Sequence, residues 1–260
     1  MRTVLFTGAG ASKAIGYPLT SELLPLVRER LDTDLFAQTA GRAAAANRAE
    51  LRRYLASLLP GLDRLQPGQL PLITDVFSLV EYSMLAGEAL AMGDERTLRR
   101  CRDLLKEAMT DVFLENFYRA YALDDPGEKR ESDTLDALTR WIRRQQQELA
   151  IVTTNYDIGI EYALWQQGAY QLGSIDLGFD WRDEDGEEYT RPDKPLLRLY
   201  KLHGSFNLLR CTTCGSVFFN PEGSIAHQAF RPDIDEHNSC VCRTDVRLDL
   251  QIVAPSLVRD

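Results

Sequence analysis

Four of the five cysteines stand as two close pairs, Cys211-x2-Cys214 and Cys240-x-Cys242. Two such pairs offer four thiolates, enough for a closed tetrahedral zinc site with no position left for substrate. The second pair is CxC where CxxC is the commoner form, so free thiols remain the alternative. His237, three residues before Cys240, is a possible substitute ligand, and His227 reads as a surface or core histidine. Eight residues ahead of the first pair, "LYKLHGS" carries His203, which could be a further metal ligand, a satisfied core histidine or a general base. "TTNYD" places Asn155 and Asp157 at the end of an apolar run, where polar groups are costly unless they bind something. Capping of the following helix would also use them. "VLFTGAGAS" puts Gly8 and Gly10 where a strand enters a turn. Small residues there let backbone N–H groups approach phosphate oxygens, although a plain tight turn needs the same residues. The GxGxxG pattern is incomplete, because Lys13 occupies the third glycine position, and no acidic ribose anchor follows about 20 residues on, where the chain reads as helix.

These residues need elements to hold them. "TVLFTG", "LAIVTTNYD" and "LLRLYKLHGS" read as buried strands, the third ending at Gly204-Ser205, and "LQIVAPSLV" reads as a fourth. Between the first two, residues 46–149 are helix after helix. "NRAELRRYLASLL" has Asn47 as its expected N-cap, and "SDTLDALTRWIRRQQQE" has Ser132 or Asp133. "DDPGEKRESD" is a charged linker and "RDEDGEEY" a hairpin or surface turn. Strands separated by helices imply a parallel α/β sheet, and the three polar motifs each fall at a strand's carboxyl end, where such sheets bind ligands. Cys101, alone in a helical stretch, reads as an inert buried thiol.

The chain has 260 residues and a net charge of −9. An acidic chain without a basic run lacks the electrostatic footprint of a nucleic-acid binder. No apolar run reaches the ~20 residues that span a bilayer, and the N-terminus lacks a secretory signal. A cytoplasmic protein without a membrane segment is expected, in which cysteines serve metals or remain free thiols.

The ordered set "GAGAS", "TTNYD", "KLHGS" and paired cysteines resembles the sirtuin family, over residues 3–18, 150–158, 199–215 and 240–258. The resemblance implies a Rossmann-like parallel sheet, α/β in class, with a large all-helical insertion and a small zinc-binding module. The sheet core would comprise 1–20, 150–205 and 248–260, the helical insertion 21–149 and the zinc module 206–247. It implies NAD as substrate and a structural zinc. Gly8, Ala9, Gly10, Ala11 and Ser12 would line pyrophosphate and ribose. Thr154, Asp157, Gly204 and Ser205 would complete the nucleotide site, with Asn155 and His203 as the catalytic pair. Cys211, Cys214, Cys240 and Cys242 would hold the zinc.

Departures refine the expectation. Deacylating sirtuins continue the first loop with a "GIPDFR"-like segment, whereas this chain has "GYPLTSELL", and no "FGE"-type peptide-binding strand follows the cysteines. These features look like the bacterial sirtuin-like domains of anti-phage defence, which hydrolyse NAD. The expected function is therefore an NAD+ glycohydrolase acting by NAD+ depletion (abortive infection). A homo-oligomer is expected, with a separate defence partner possible. A sirtuin-type sheet would need further strands beyond residue 258, from a longer polypeptide or a partner. The alternatives are an NAD-dependent protein deacylase, a non-catalytic NAD or ADP-ribose sensor, and a zinc-stapled scaffold.

Overall fold

The first apolar run forms β1 (Thr3–Thr7) in the computed structural model, which describes residues 3–32, 41–87, 94–121, 133–145, 149–166, 168, 171–220, 229–230 and 239–253. A short helix, α1 (Ala9–Lys13), follows at once. Five longer helices come next: α2 (Thr20–Asp32), α3 (Gly41–Leu58), α4 (Ile73–Ala86), α5 (Glu95–Tyr121) and α6 (Asp133–Gln145). Then come β2 (Leu149–Thr153), α7 (Gly159–Gln166), β3 (Ile175–Asp176), β4 (Trp181–Arg182), β5 (Glu188–Tyr189) and β6 (Leu197–Lys201). The last strands are β7 (Gly204–Cys211), β8 (Val217–Phe219), β9 (Ser239–Cys240) and β10 (Arg243–Ile252). The fold is α/β. No helix among the described residues is long and apolar enough to cross a membrane.

The chain divides into two units, Met1–Tyr17 with Leu114–Ile252, and Pro18–Phe113 with Val253–Asp260. The first holds both sheets. One is four-stranded and wholly parallel, in the order β1-β2-β6-β3. Its strands are short and apolar because one face is packed: Leu149, Ile151, Leu197 and Leu199 bury against Ile142 of α6 and Ile160 and Leu164 of α7. Each such side chain contributes about 1.5–3 kcal/mol by leaving water. The second sheet has the order β5-β4-β8-β7-β10-β9 and is antiparallel except where β4 meets β8. Trp181 and Phe219 link it to the same core, their rings 5.0 Å apart and edge to face.

Two strand expectations change. "LLRLYKLHGS" is not one strand: β6 stops at Lys201, Leu202 and His203 turn, and β7 starts at Gly204 in the other sheet. "LQI", residues 250–252 of the expected fourth strand, is the end of β10, antiparallel to β7 and not a parallel strand, and residues 254–258 lie outside the described residues. Apolar periodicity marks a strand but carries no information about its direction or sheet. "RDEDGEEY" does form a hairpin, joining β4 and β5, with Asp183 Oδ1 accepting the N–H groups of Asp185 and Glu187.

The second unit is helical. Leu24, Val27, Leu51, Leu55, Phe77, Val80, Leu98 and Leu105 form its buried interior, and Cys101 is fully buried there. Burial pushes the Cys101 thiol up to about 12, which makes it unreactive. Asn47 is not a helix cap. α3 begins at Gly41, because the alanines ahead of Asn47 are the strongest helix formers. The Asn47 amide instead donates to Glu107 at 2.9 Å and accepts from Arg100 at 2.6 Å. α5 has a clear start, with the Asp94 carboxylate accepting the Thr97 N–H at 3.0 Å. Ser132, His227 and His237 lie outside the described residues.

Candidate functional site

Three strands of the parallel sheet end level with one another. Thr7 pairs with Thr153, and Thr153 with Lys201. The ladder extends one step past each strand end, with Thr154 N–H donating to Thr7 O at 3.3 Å and Leu202 N–H to Thr153 O at 2.9 Å. Parallel pairing in this register delivers "GAGAS", "TNYD" and "LHGS" to a single sheet edge. That edge is where open α/β sheets bind their ligands.

The residues just past β1 and β2 bind each other. The Asn155 amide nitrogen donates to Gly8 O at 2.9 Å and to Ser12 Oγ at 2.6 Å. Ser12 Oγ donates in turn to Asp157 Oδ2. The other carboxylate oxygen, Oδ1, accepts the Gly159 N–H at 3.1 Å, so Asp157 caps α7 while it holds Ser12. Asn155 N–H itself donates to Thr153 Oγ1 at 3.0 Å. The glycine turn and the Asn-Asp turn are thus one hydrogen-bonded body. Gly8 has an extended backbone, with φ −133° and ψ −172°. A Cβ on Gly10 would meet nothing within 4 Å, and one on Gly8 only Thr154 Oγ1 at 3.8 Å. Neither packing nor a positive φ requires glycine at these positions, which leaves close approach of a ligand as a physical reason for them. Gly159 differs: a Cβ there would stand 2.6 Å from Ile15 Cδ1.

Beside this body lies a cavity of about 110 Å³. Ala11, Ser12, Asn155 and Asp157 line it together with Ala14, Ile15, Leu138, Thr153, Ile160, Glu161 and Lys201. Small-molecule pockets run to about 300–1,000 Å³, so this one has room for a single small ring and not for a dinucleotide. Gly8, Ala9, Gly10 and Thr154 sit at the neighbouring strand ends, outside the lining. His203 is half-buried in the β6–β7 turn, its ring 6.1 Å from that of Tyr156. It is not among the lining residues either. Ser205 is fully buried and donates through Oγ to Tyr156 O at 3.1 Å, and Phe206 N–H donates to the same carbonyl at 3.1 Å. Gly204 has φ +76°, and a Cβ there would lie 1.9 Å from Gln251 O of β10. The "HGS" glycine therefore lets β7 and β10 close against each other.

Sequence reasoning missed two charged residues of the cavity. Lys201 Nζ and Glu161 Oε1 are 2.6 Å apart, and their side chains are 3% and 2% exposed. Burial raises the Glu161 carboxyl above its ordinary range, against the opposing pull of Lys201. The signal was present: a glutamate inside "IGIEYALW" and a lysine ending "LLRLYK" are charges inside apolar runs.

The four paired cysteines converge. Their sulfurs all lie within 4.8 Å of one another, with Cys211–Cys242 at 3.6 Å and Cys214–Cys240 at 3.5 Å. Ligands on a tetrahedral zinc at ~2.3 Å would be about 3.8 Å apart, and a disulfide would need about 2.05 Å. The residues fit a four-thiolate metal ion. A tight turn sets the first pair: Cys214 N–H donates to Cys211 Sγ at 3.5 Å and Gly215 N–H to Cys211 O at 2.9 Å, with Gly215 at φ +78°. Hydrogen bonds from Ser216 lower the Cys214 thiol to about 6. The second pair is brought round by the β9–β10 hairpin, where Cys240 pairs with Arg243.

Residues 149–218 match the family model of the SIR2-like domain. The match begins at β2 and ends within β8, and it contains "TTNYD", "KLHGS", Cys211 and Cys214. It bears out the sirtuin-like resemblance over this stretch and indicates NAD-related activity. A comparison with characterised proteins gives no match.

Proposed function

We propose that this chain, with its SIR2-like segment, is an NAD+ glycohydrolase that cleaves NAD+ to nicotinamide and ADP-ribose. The observation that carries this reading is the convergence of the glycine turn, Asn155 and Asp157 on one parallel-sheet edge beside a ring-sized cavity. Nicotinamide leaves from NAD+ with the electron pair of its bond to the ribose and departs neutral. The ribose carbon becomes oxocarbenium-like, and water forms the new C–O bond while losing a proton. The backbone of Gly8 to Ser12 would receive the phosphates and ribose. Asn155, its amide nitrogen already committed to Gly8 and Ser12, would present its oxygen to the water or a ribose hydroxyl. His203 would take the proton. Thr154, just past β2, and Gly204 and Ser205, at the start of β7, would complete the nucleotide site.

Zinc is the proposed occupant of Cys211, Cys214, Cys240 and Cys242, with a structural role, since four protein ligands leave no open position. The biological setting proposed is bacterial anti-phage defence in the cytoplasm, through NAD+ depletion by a homo-oligomer. Neither acyl-lysine recognition nor a purely sensory role has a feature of its own in the described residues.

The test is nicotinamide release from NAD+ by the purified chain at several protein concentrations. Release without an acylated peptide is expected, and Asn155→Ala and His203→Ala should each lower it about 10²–10⁴-fold with the thermal midpoint kept. Release that requires an acetylated peptide would make the protein a deacylase. Full turnover by His203→Ala would overturn that residue's role.

A further inference from the structure

The Lys201–Glu161 pair is joined by two more groups. Lys201 Nζ also donates to the main-chain carbonyl of Asp157, and Asn207 Nδ2 of β7 lies 3.5 Å from Glu161 Oε1. Asn207 is wholly buried, and its Oδ1 has no hydrogen-bond partner among the described residues. One cation therefore links the last residue of β6 to the turn after β2 and to α7, at a spot that also receives β7. Burying an ion pair is a poor way to gain stability, because desolvation offsets most of the attraction and apolar residues of the same volume do as well or better. What the pair supplies is direction. A carbonyl outside any ladder and a carboxylate lining the cavity are held in one orientation by a donor with three hydrogens. An apolar side chain could fill the space and would leave the Asp157 carbonyl unheld.

We infer that Lys201 is a positioning residue: paired with Glu161, it fixes the main chain of the turn that carries Asn155 and Asp157. The kinetic part of this inference rests on the hydrolytic reading above, and the conformational part does not. The same turn is held elsewhere by three amide bonds, Asn155 N–H to Thr153 Oγ1, Gly159 N–H to Asp157 Oδ1 and Phe206 N–H to Tyr156 O. With Lys201 removed, these bonds and the side-chain bonds made by Asn155, Ser12 and Ser205 have to resist the fluctuations of the turn without it.

The experiment uses the full chain and the double substitution Lys201→Met with Glu161→Leu, which replaces the pair by apolar side chains. Amide hydrogen exchange of Asn155, Gly159 and Phe206 is followed beside that of β1 and β2, together with the thermal midpoint and nicotinamide release. Exchange at the three turn amides should rise at least about tenfold while β1, β2 and the midpoint stay near the parent. kcat should fall at least about tenfold with KM within about threefold. A folded double variant with parental exchange and parental kcat would overturn the inference. Glu161→Gln keeps an acceptor of the same shape and is the second variant, decisive if the double does not fold. A smaller rise in exchange is expected, and an altered midpoint with unchanged exchange and kcat would mean that the pair is only structural. If the parent releases no nicotinamide, the hydrolase reading fails, and the exchange data still decide whether Lys201 holds the turn.

Discussion

β6 and β7 run from Lys201, at the strand-end site, to Cys211, in the cysteine cluster, yet the two sites are built in opposite ways. At the strand ends the polar groups satisfy one another. Asn155, Ser12, Asp157 and the Gly8 carbonyl form a closed set, so the geometry exists before any ligand arrives. Such preorganisation is what a reacting site needs, because nothing has to be rearranged when charge develops. Among the described residues, the cysteine sulfurs have each other and Ser216 at hand. Four sulfurs within 4.8 Å repel as they ionise, so a cation is what makes them stable together. The first region is complete as it stands; the second, on the proposed reading, is completed by a metal ion.

The largest expected effect tests the second half of that contrast. Cys211→Ala, or stripping the metal with a strong chelator, should cost several kcal/mol and unravel the β7–β10 region, read as a fall in thermal midpoint with release of one zinc per chain. A chain that contains no metal and keeps its midpoint with the chelator would break the comparison. Gly204→Ala probes the junction of the two regions. Its Cβ would strike the Gln251 carbonyl at a positive φ, and a loss of about 3 kcal/mol in denaturant unfolding is expected, with activity falling alongside. A Gly204→Ala variant as stable as the parent would show that the β7–β10 approach is not tight.

The smallest effect is an acid titration that separates the two kinds of charge. Asp176, at the other edge of the parallel sheet, is pushed up by burial but pulled down further by Arg191, the Gly178 N–H and the Tyr200 hydroxyl, and ends below its ordinary value of 3.8. A depressed carboxyl stabilises the fold above its unfolded pKa and loses that contribution as pH falls through the folded one. Arg191 is half-exposed, so the contribution is screened to about 0.5–1 kcal/mol. Metal loss, driven by protonation of thiolates, should come first as pH falls, and the Asp176 step should follow below about 3.8. Asp176→Asn should remove the second step alone. A variant whose acid profile matches the parent's would remove Asp176 from the account.

Much of this was legible in the linear chain, for physical reasons that differ by element. β1, β2 and the start of β6 were readable because parallel strands buried on a packed face are short apolar runs. The hairpin at "RDEDGEEY" was readable because Asp183 and Gly186 are local turn chemistry. The break at Leu202-His203 was not, since a change of sheet leaves the apolar pattern intact on both sides of it. Nor was the start of α3, where a cap-forming residue, Asn47, was overridden by the alanines before it. The cysteine set came from spacing, and the strand-end set from polar motifs after apolar runs together with the sirtuin resemblance. Their grouping follows from spacing for the cysteines, whose pairs are close in sequence, and much less so for Ser12 and Asp157, which are 145 residues apart.

By itself, then, the amino-acid sequence determined the class of chemistry: small residues and polar groups after apolar runs, and thiols at ligand spacing. Those signals are local, and local backbone preference and solvation are enough to express them. Tertiary structure alone decided that Thr7, Thr153 and Lys201 end in register, and that a lysine and a glutamate 40 residues apart share one buried pocket. It also decided that Gly204 is needed by a neighbouring strand. Contacts of that kind depend on the burial of several segments at once, and no single stretch of the chain carries them.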